Sequence, residues 1–165
     1  MLLRIAGIEP ESLVDGYGIR FVIFTQGCRR LCPGCHNPQT HALDGGRLVD
    51  TEELTREILG HGNLDGITFS GGEPFLQAEA CREIAREVRS AGVHVAAYTG
   101  YTLEELVADP LPGARALLAL IDWLVDGPFL EEERDLSLPF RGSRNQRIRE
   151  YRQIQAALDA IDATA

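Results

Sequence analysis

The sequence predicts an α/β protein, one domain built on a largely parallel sheet, and three observations carry that expectation. From about residue 51 onward, short apolar runs alternate with amphipathic runs of helical period, an order that supplies the crossovers parallel strands need. Each apolar run ends in a glycine-containing loop, the composition expected where a strand hands over to a helix. With 165 residues and 44% hydrophobic content, the chain can bury one sizeable core and has no room for a second.

The elements follow in order. Leu2 to Ile8 and Arg20 to Thr25 read as strands, joined through Glu9-Pro10 and the turn residues Asp15-Gly16-Tyr17-Gly18. His36 to Thr40 and Asp44-Gly45-Gly46 are loop composition. Asp50 with Glu53 resembles a capping box, and Leu54, Ile58 and Leu59 follow at helical spacing, so a helix is predicted over about 51–60. Gly66 to Ser70 is a strand running into Gly71-Gly72-Glu73-Pro74. The next helix carries Leu76, Ala80, Cys81, Ile84, Ala85 and Val88 on one face, with charged residues opposite. Cys81 on that stripe is a small core hydrophobe. Gly92 ends the helix, and Val93 to Thr99 is a buried strand. Thr102 and Glu105 form a second capping box, and Pro110 and Pro112 break the short helix they start. Ala114 to Leu120 reads as helix and Ile121 to Asp126 as strand. Tyr151, Ile154, Leu158 and Ile161 make the tail, about 150–165, a helix that docks on the body or on a partner.

Ligands of parallel α/β sheets bind at the carboxyl ends of the strands, and the chemistry-bearing residues fall there. Three of the four cysteines, Cys28, Cys32 and Cys35, lie within eight residues directly behind the second strand. A disulfide would leave one thiol over, whereas three thiolates from one loop can face a single metal centre. Four readings fit. Cys32-Pro33-Gly34-Cys35-His36 matches the c-type haem pattern, but Cys28 then has no task. A thioredoxin-like dithiol leaves Cys28 over as well. A zinc site has His36 as fourth ligand, although adjacent Cys35 and His36 strain to reach one tetrahedral ion. The fourth is a 4Fe-4S cluster with one iron open to a ligand. Farther on, Gly71 and Gly72 allow backbone to approach a ligand and to take up positive φ, and Glu73 sets a carboxylate beside them. A tight turn leading into a helix at Pro74 is the plainer alternative.

The formal charge of −9 argues against a nucleic-acid partner. No apolar run approaches the roughly 20 residues that cross a bilayer, and residues 1–20 lack a leader pattern. A cytoplasmic protein with reduced thiols is expected.

Cys28-x3-Cys32-x2-Cys35 resembles the signature of the radical S-adenosylmethionine (SAM) enzymes, and Ser70-Gly71-Gly72-Glu73-Pro74 is similar to their glycine motif. Their joint occurrence is far more specific than either alone. The resemblance implies a partial (β/α) barrel, open on one side, as a single radical SAM domain with its core at about 16–149. It implies one 4Fe-4S cluster on Cys28, Cys32 and Cys35. It also implies SAM held near Gly34, Cys35, His36 and Gly72, with Glu73 near its amino group. Thr99 and Asp126, at the ends of their strands, are added as cofactor contacts, and His36 is read as shaping the loop. His41, His61 and His94 are read as structural.

More closely, the chain resembles the activating enzymes of glycyl-radical enzymes, and among them those acting on anaerobic ribonucleoside-triphosphate reductase. The carriers are Gln26 to Pro38, Tyr98 to Tyr101, Leu124 to Phe129 and Arg141 to Gln146. The implied reaction is reductive cleavage of SAM to a 5'-deoxyadenosyl radical that takes hydrogen from a glycine of the reductase, with a flavodoxin-like or similar one-electron donor. Activation of pyruvate formate-lyase or another glycyl-radical enzyme is the alternative within the class, and a zinc-stapled interaction module the alternative outside it. Arg141 to Arg149, with four arginines, reads as a contact for acidic partner surface or as a solvated turn.

Overall fold

The helices begin where capping residues stand. The Asp50 carboxylate accepts from the backbone N–H groups of Glu52 and Glu53, at 3.0 and 3.1 Å, and starts α1 (Thr51–Gly60). Thr102 and Glu105 close a reciprocal capping box at the head of α3 (Leu103–Ala108). α2 (Ala78–Ser90) buries Ala80, Cys81, Ile84, Ala85 and Val88 of the expected stripe, while Leu76 precedes it, half-buried in a 3-10 turn (Pro74–Gln77). α4 (Ala114–Leu118) and α5 (Tyr151–Thr164) complete the helices. This is a computed structural model, and it describes residues 1–108 and 111–164. Pro110, expected to break the third helix, and Ala165, at the end of the tail, lie outside the described residues.

Seven strands form one mixed sheet: β1 (Leu2–Ser12), β2 (Arg20–Thr25), β3 (Arg47–Asp50), β4 (Gly66–Gly71), β5 (His94–Tyr98), β6 (Trp123–Asp126) and β7 (Arg147–Glu150). Their order is β3-β1-β2-β4-β5-β6-β7. β2, β4, β5 and β6 run parallel, while β1, β3 and β7 are antiparallel to their neighbours. The sheet is open, with β3 and β7 at its edges.

Alternation along the central strands divides the side chains between two faces. Ile67, Phe69, Val95, Ala97 and Leu124 join the helices in the main core. Ala96, Trp123 and Val125 point the other way, into a small cluster with Tyr98, Phe140 and Ile148 to which no helix contributes. Tyr17 and Phe140 pack on Trp123 with ring centroids 5.6 and 5.4 Å away, so loops rather than helices cover this face. α5 sets Ile154 and Leu158 into the main core, which settles the tail as docked on the body.

The sheet departs from expectation in three strands. β1 does not stop at Ile8: it runs through Glu9-Pro10 to Ser12, with a register shift between Glu9 and Ser12. β3 pairs only with Leu2 to Ile5, so Pro10 withholds no bond from that neighbour. The edge strands β3 and β7 stand where no strand is predicted, the second at the end of the segment read as a partner contact or a solvated turn, because each is four residues long and rich in charge.

Candidate active site

The four parallel strands end on one side of the sheet, and the loops leaving them share a cavity of about 530 Å³. Cys28, Cys32, Cys35, His36, Ser70, Gly71, Gly72, Thr99, Gly100 and Gly127 line it, so the predicted convergence at the strand ends holds.

The cysteine loop is held at both ends. The Gly27 and Cys28 N–H groups donate to the Thr40 and His41 carbonyls at 2.7 and 3.1 Å, and the Cys35 N–H donates to Cys32 O at 3.1 Å. Leu31 (φ +49°) and Gly34 (φ +74°) bend the chain between the cysteines. A Cβ on Gly34 would stand 3.0 Å from the Glu131 carboxyl and 3.3 Å from Phe129, so this glycine admits a neighbouring segment and does not itself line the cavity. Arg30 anchors the loop sideways, with its guanidinium 4.2 Å from the Tyr101 ring centre and 2.7 Å from Glu105 Oε2. All three cysteines are unpaired and half-buried, and the Asn37 N–H points at Cys35 Sγ. Burial, with Glu73 adding, holds the Cys28 thiol above its usual range, a bias that a bound metal would reverse. Among the described residues no three Cys, His, Asp or Glu side chains converge on one ion-sized point; the thiols face the cavity separately. Cys81 lies buried on α2, apart from this loop.

The glycine motif is built differently from the expectation. Gly71 takes the positive φ, +89°, and Gly72 does not. Gly72 is needed for a close approach of chain to chain: a Cβ there would lie 2.5 Å from Gly27 O, the residue before Cys28. The Gly72 N–H donates to Thr25 O and the Glu73 N–H to Gly27 O, both at 2.8 Å, so the motif is laced to the root of the cysteine loop.

Glu73 is 1% exposed. Its Oε1 accepts from the Phe75 N–H and the Thr99 hydroxyl, at 3.1 and 2.9 Å, and its Oε2 from the Gly100 N–H at 2.8 Å. Burial pushes the carboxyl up to about 7 against the pull of these donors. The side chain thus ties the loop after β4 to the loop after β5, while Thr99 and Gly100 themselves line the cavity.

Asp126, expected at the cofactor, is fully buried and its carboxylate is committed elsewhere. It accepts from the Leu103 N–H at 2.7 Å and pairs with Arg147 at 2.6 Å, with Arg149 Nε at 3.7 Å. Arg147 and Arg149 also meet Glu104, so both are paired within the chain. Asp126 and Arg147 face each other across β6 and β7, and so close the base of a strap, residues 127–146. Phe129, Leu136, Phe140, Arg141, Gly142 and Gln146 of this strap line the cavity. The Phe129 ring stands 5.1 Å from that of His36. The strap carries little hydrophobic period, and only Gly127-Pro128-Phe129 and Arg141 to Gln146 drew attention in sequence. His41, read as structural, also lines the cavity; His94 meets Arg20 at 3.1 Å and His61 packs on Phe21.

The model of the 4Fe-4S single cluster domain family matches residues 14–149. The chain is 33% identical over 154 residues to the anaerobic ribonucleoside-triphosphate reductase-activating protein of Haemophilus influenzae, covering 87% of this chain and 95% of the relative. The protein of the same name from Vibrio cholerae is 34% identical over 151 residues, 86% of this chain and 94% of the relative. The pyruvate formate-lyase-activating enzyme of Clostridium pasteurianum is 43% identical over 104 residues, 59% of this chain and 44% of that one. The crystal structure of QueE from Escherichia coli aligns with 62% of this chain and 54% of that one at 17% identity, with a TM-score of 0.49, a likeness too loose to carry an argument. Three thiols on one cavity wall and an iron-sulfur family set the zinc, haem and dithiol readings aside.

Proposed function

We propose, because this chain belongs to the family of anaerobic ribonucleoside-triphosphate reductase-activating proteins, that it installs the glycyl radical on such a reductase. The observation that carries this reading is the cavity in which Cys28, Cys32 and Cys35 face the loops after β4 and β5. A 4Fe-4S cluster and SAM bound there would supply the chemistry: one-electron reductive cleavage of the sulfonium to methionine and a 5'-deoxyadenosyl radical, which would take a hydrogen atom from a glycine of the partner and leave as 5'-deoxyadenosine.

In this reading Cys28, Cys32 and Cys35 hold three irons. Backbone at Cys35, His36, Gly72 and Thr99-Gly100 takes the SAM. Gly34, Glu73 and Asp126 keep that wall in shape from behind: Gly34 admits Phe129, Glu73 joins two loops, and Asp126 pins the strap. The strap walls one side of the cavity, and a bound partner would complete the exclusion of water that a reactive radical needs. The whole chain acts as one radical SAM domain, its sheet a partial barrel whose helix-free side forms the interior. A flavodoxin-like protein delivers the electron, and the reaction takes place in the cytoplasm. No helix among the described residues is long and apolar enough to cross a membrane.

The reductase is favoured over pyruvate formate-lyase as substrate by the end-to-end match to its activators, against 44% of the lyase activator. The test mixes reduced, cluster-loaded protein with SAM and each candidate enzyme without oxygen. A glycine-centred doublet in electron paramagnetic resonance is expected on the reductase. A doublet on the lyase alone refutes the partner, and failure to cleave SAM refutes the chemistry.

A further inference from the structure

Isolated apolar side chains are ordinary on a protein surface, but a group of them beside a cavity marks a place that another molecule covers. Among the described residues the three most exposed large hydrophobic side chains gather in this way: Leu136 is 77% exposed, Val14 76% and Leu13 70%. Val14, from the loop between β1 and β2, and Leu136, from the strap, line the cavity, and Leu13 adjoins Val14 in the chain. The half-buried Phe140 lines it as well, and the exposed Tyr17 packs on Phe140 with ring centroids 4.9 Å apart.

The cavity runs from the cysteine loop along the helix-free face of the sheet. Thr68, three residues before Gly71 and paired with Ala96 on that face, donates to the Asp15 carbonyl at 2.8 Å, and Val14 and Asp15 line the cavity there. The loop that carries Leu13 and Val14 is held in place. The Val14 N–H donates to Ser12 Oγ at 3.3 Å and the Ile19 N–H to Asp65 Oδ2 at 2.7 Å. The buried Arg20 guanidinium donates to Tyr17 O at 3.0 Å and to Thr68 Oγ1 at 2.7 Å. A Cβ on Gly16 would stand 2.7 Å from Arg20 Cδ, so the loop lies directly on that side chain. On the strap, Phe140 sits at φ +62°, a conformation that a bulky residue holds only where its surroundings impose it. A molecule that covers these side chains therefore need not order their backbone first.

We infer that Leu13, Val14 and Leu136 form a docking rim for the reductase segment that carries the target glycine, and that apolar side chains flanking this glycine seat on them. The inference rests on the function proposed above, which requires a glycine of another chain to enter this cavity. With a rise of about 3.3 Å per extended residue, the neighbours of that glycine within two or three positions come over the rim. Leu13, Val14 and Leu136 offer no side-chain donor or acceptor, so what they recognise is apolar surface, and its removal from water stabilises the complex.

The test measures the affinity of anaerobic, cluster-loaded protein for the reductase by calorimetry, and the glycine-centred doublet as a function of reductase concentration. Leu13→Asp, Leu13→Lys and Leu136→Asp should each weaken reductase binding roughly tenfold or more, because each sets a charge into an apolar contact. The reductase concentration at half-maximal doublet should rise by the same factor, with the amplitude restored at saturation. Leu59→Asp replaces an exposed leucine on α1 and should leave both readings at wild type. Wild-type affinity for the reductase in the rim variants overturns the inference. So does tighter binding by Leu13→Lys beside weaker binding by Leu13→Asp, which would mean that the rim is read through charge alone. So does a wild-type dimer that Leu13→Asp splits into monomers, which would make the rim a contact between copies of this chain. If wild type raises no doublet on the reductase at any concentration, the function proposed above falls, and the inference falls with it.

Discussion

Replacing Gly72 by alanine puts a methyl group where a neighbouring backbone already stands. Its Cβ would lie 2.5 Å from Gly27 O and 3.0 Å from both Gly27 C and Gly27 N, and a backbone carbonyl cannot swing aside as a flexible side chain can. Relief requires the glycine motif and the root of the cysteine loop to separate. That movement stretches two hydrogen bonds, Gly72 N–H to Thr25 O and Glu73 N–H to Gly27 O, each 2.8 Å long. Overpacking of this kind costs about 1–3 kcal/mol and a weakened buried hydrogen bond about 1 kcal/mol, so the loss expected is about 2–4 kcal/mol. Gly60, at the end of α1, is the control. A Cβ there meets nothing within 4 Å, so Gly60→Ala should stabilise by about 0.5–1 kcal/mol. Urea unfolding of cluster-free protein under reducing conditions reads both, as midpoint shifts at constant slope. Because Gly27 adjoins Cys28, Gly72→Ala should also load less iron. An unchanged midpoint for Gly72→Ala would refute the close-approach account.

Iron and sulfide assays on the four Cys→Ala variants should show loss of the cluster for Cys28, Cys32 and Cys35, with Cys81→Ala fully loaded and destabilised by about 1 kcal/mol; a loaded Cys28→Ala would end the ligand assignment. Glu73 has its native carboxyl raised from 4.5 to about 7, so the native state holds the extra proton and stability falls as pH rises through that window. In cluster-free protein the advantage of wild type over Glu73→Gln should therefore shrink by up to about 3 kcal/mol from pH 4.5 to 7; a difference flat with pH would mean that the carboxylate stays ionised throughout. Arg147→Ala leaves Asp126 buried, but Arg147 is 40% exposed and Arg149 remains at 3.7 Å. The cost expected from thermal unfolding is thus about 1–2 kcal/mol, below that of a fully buried pair, and a loss under the error of the measurement would show the strap to be closed by β6–β7 pairing alone.

What sequence alone determined was whatever local chemistry enforces. Strand and helix alternate by hydrophobic period, helices start where Asp50 and Thr102 cap them, and Cys81 falls on a buried stripe, because each follows from neighbours within one or two turns. The three candidate cluster thiols stand out for the same reason, lying within eight residues. Tertiary structure decided what depends on residues far apart in the chain. β3 and β7 exist because β1 and β6 offer open edges to them, which four-residue charged segments do not announce. Gly72 and Glu73 read as ligand contacts in a linear motif; packing adds that one also lies against Gly27 and the other against Thr99 and Gly100, partners 45 and 26 or 27 residues away. Asp126 reads as a strand-end functional group until Arg147 arrives beside it from the far end of the strap. A carboxylate takes the nearest donors the fold supplies, and which donors those are is a property of the packed sheet, not of the segment that carries the residue.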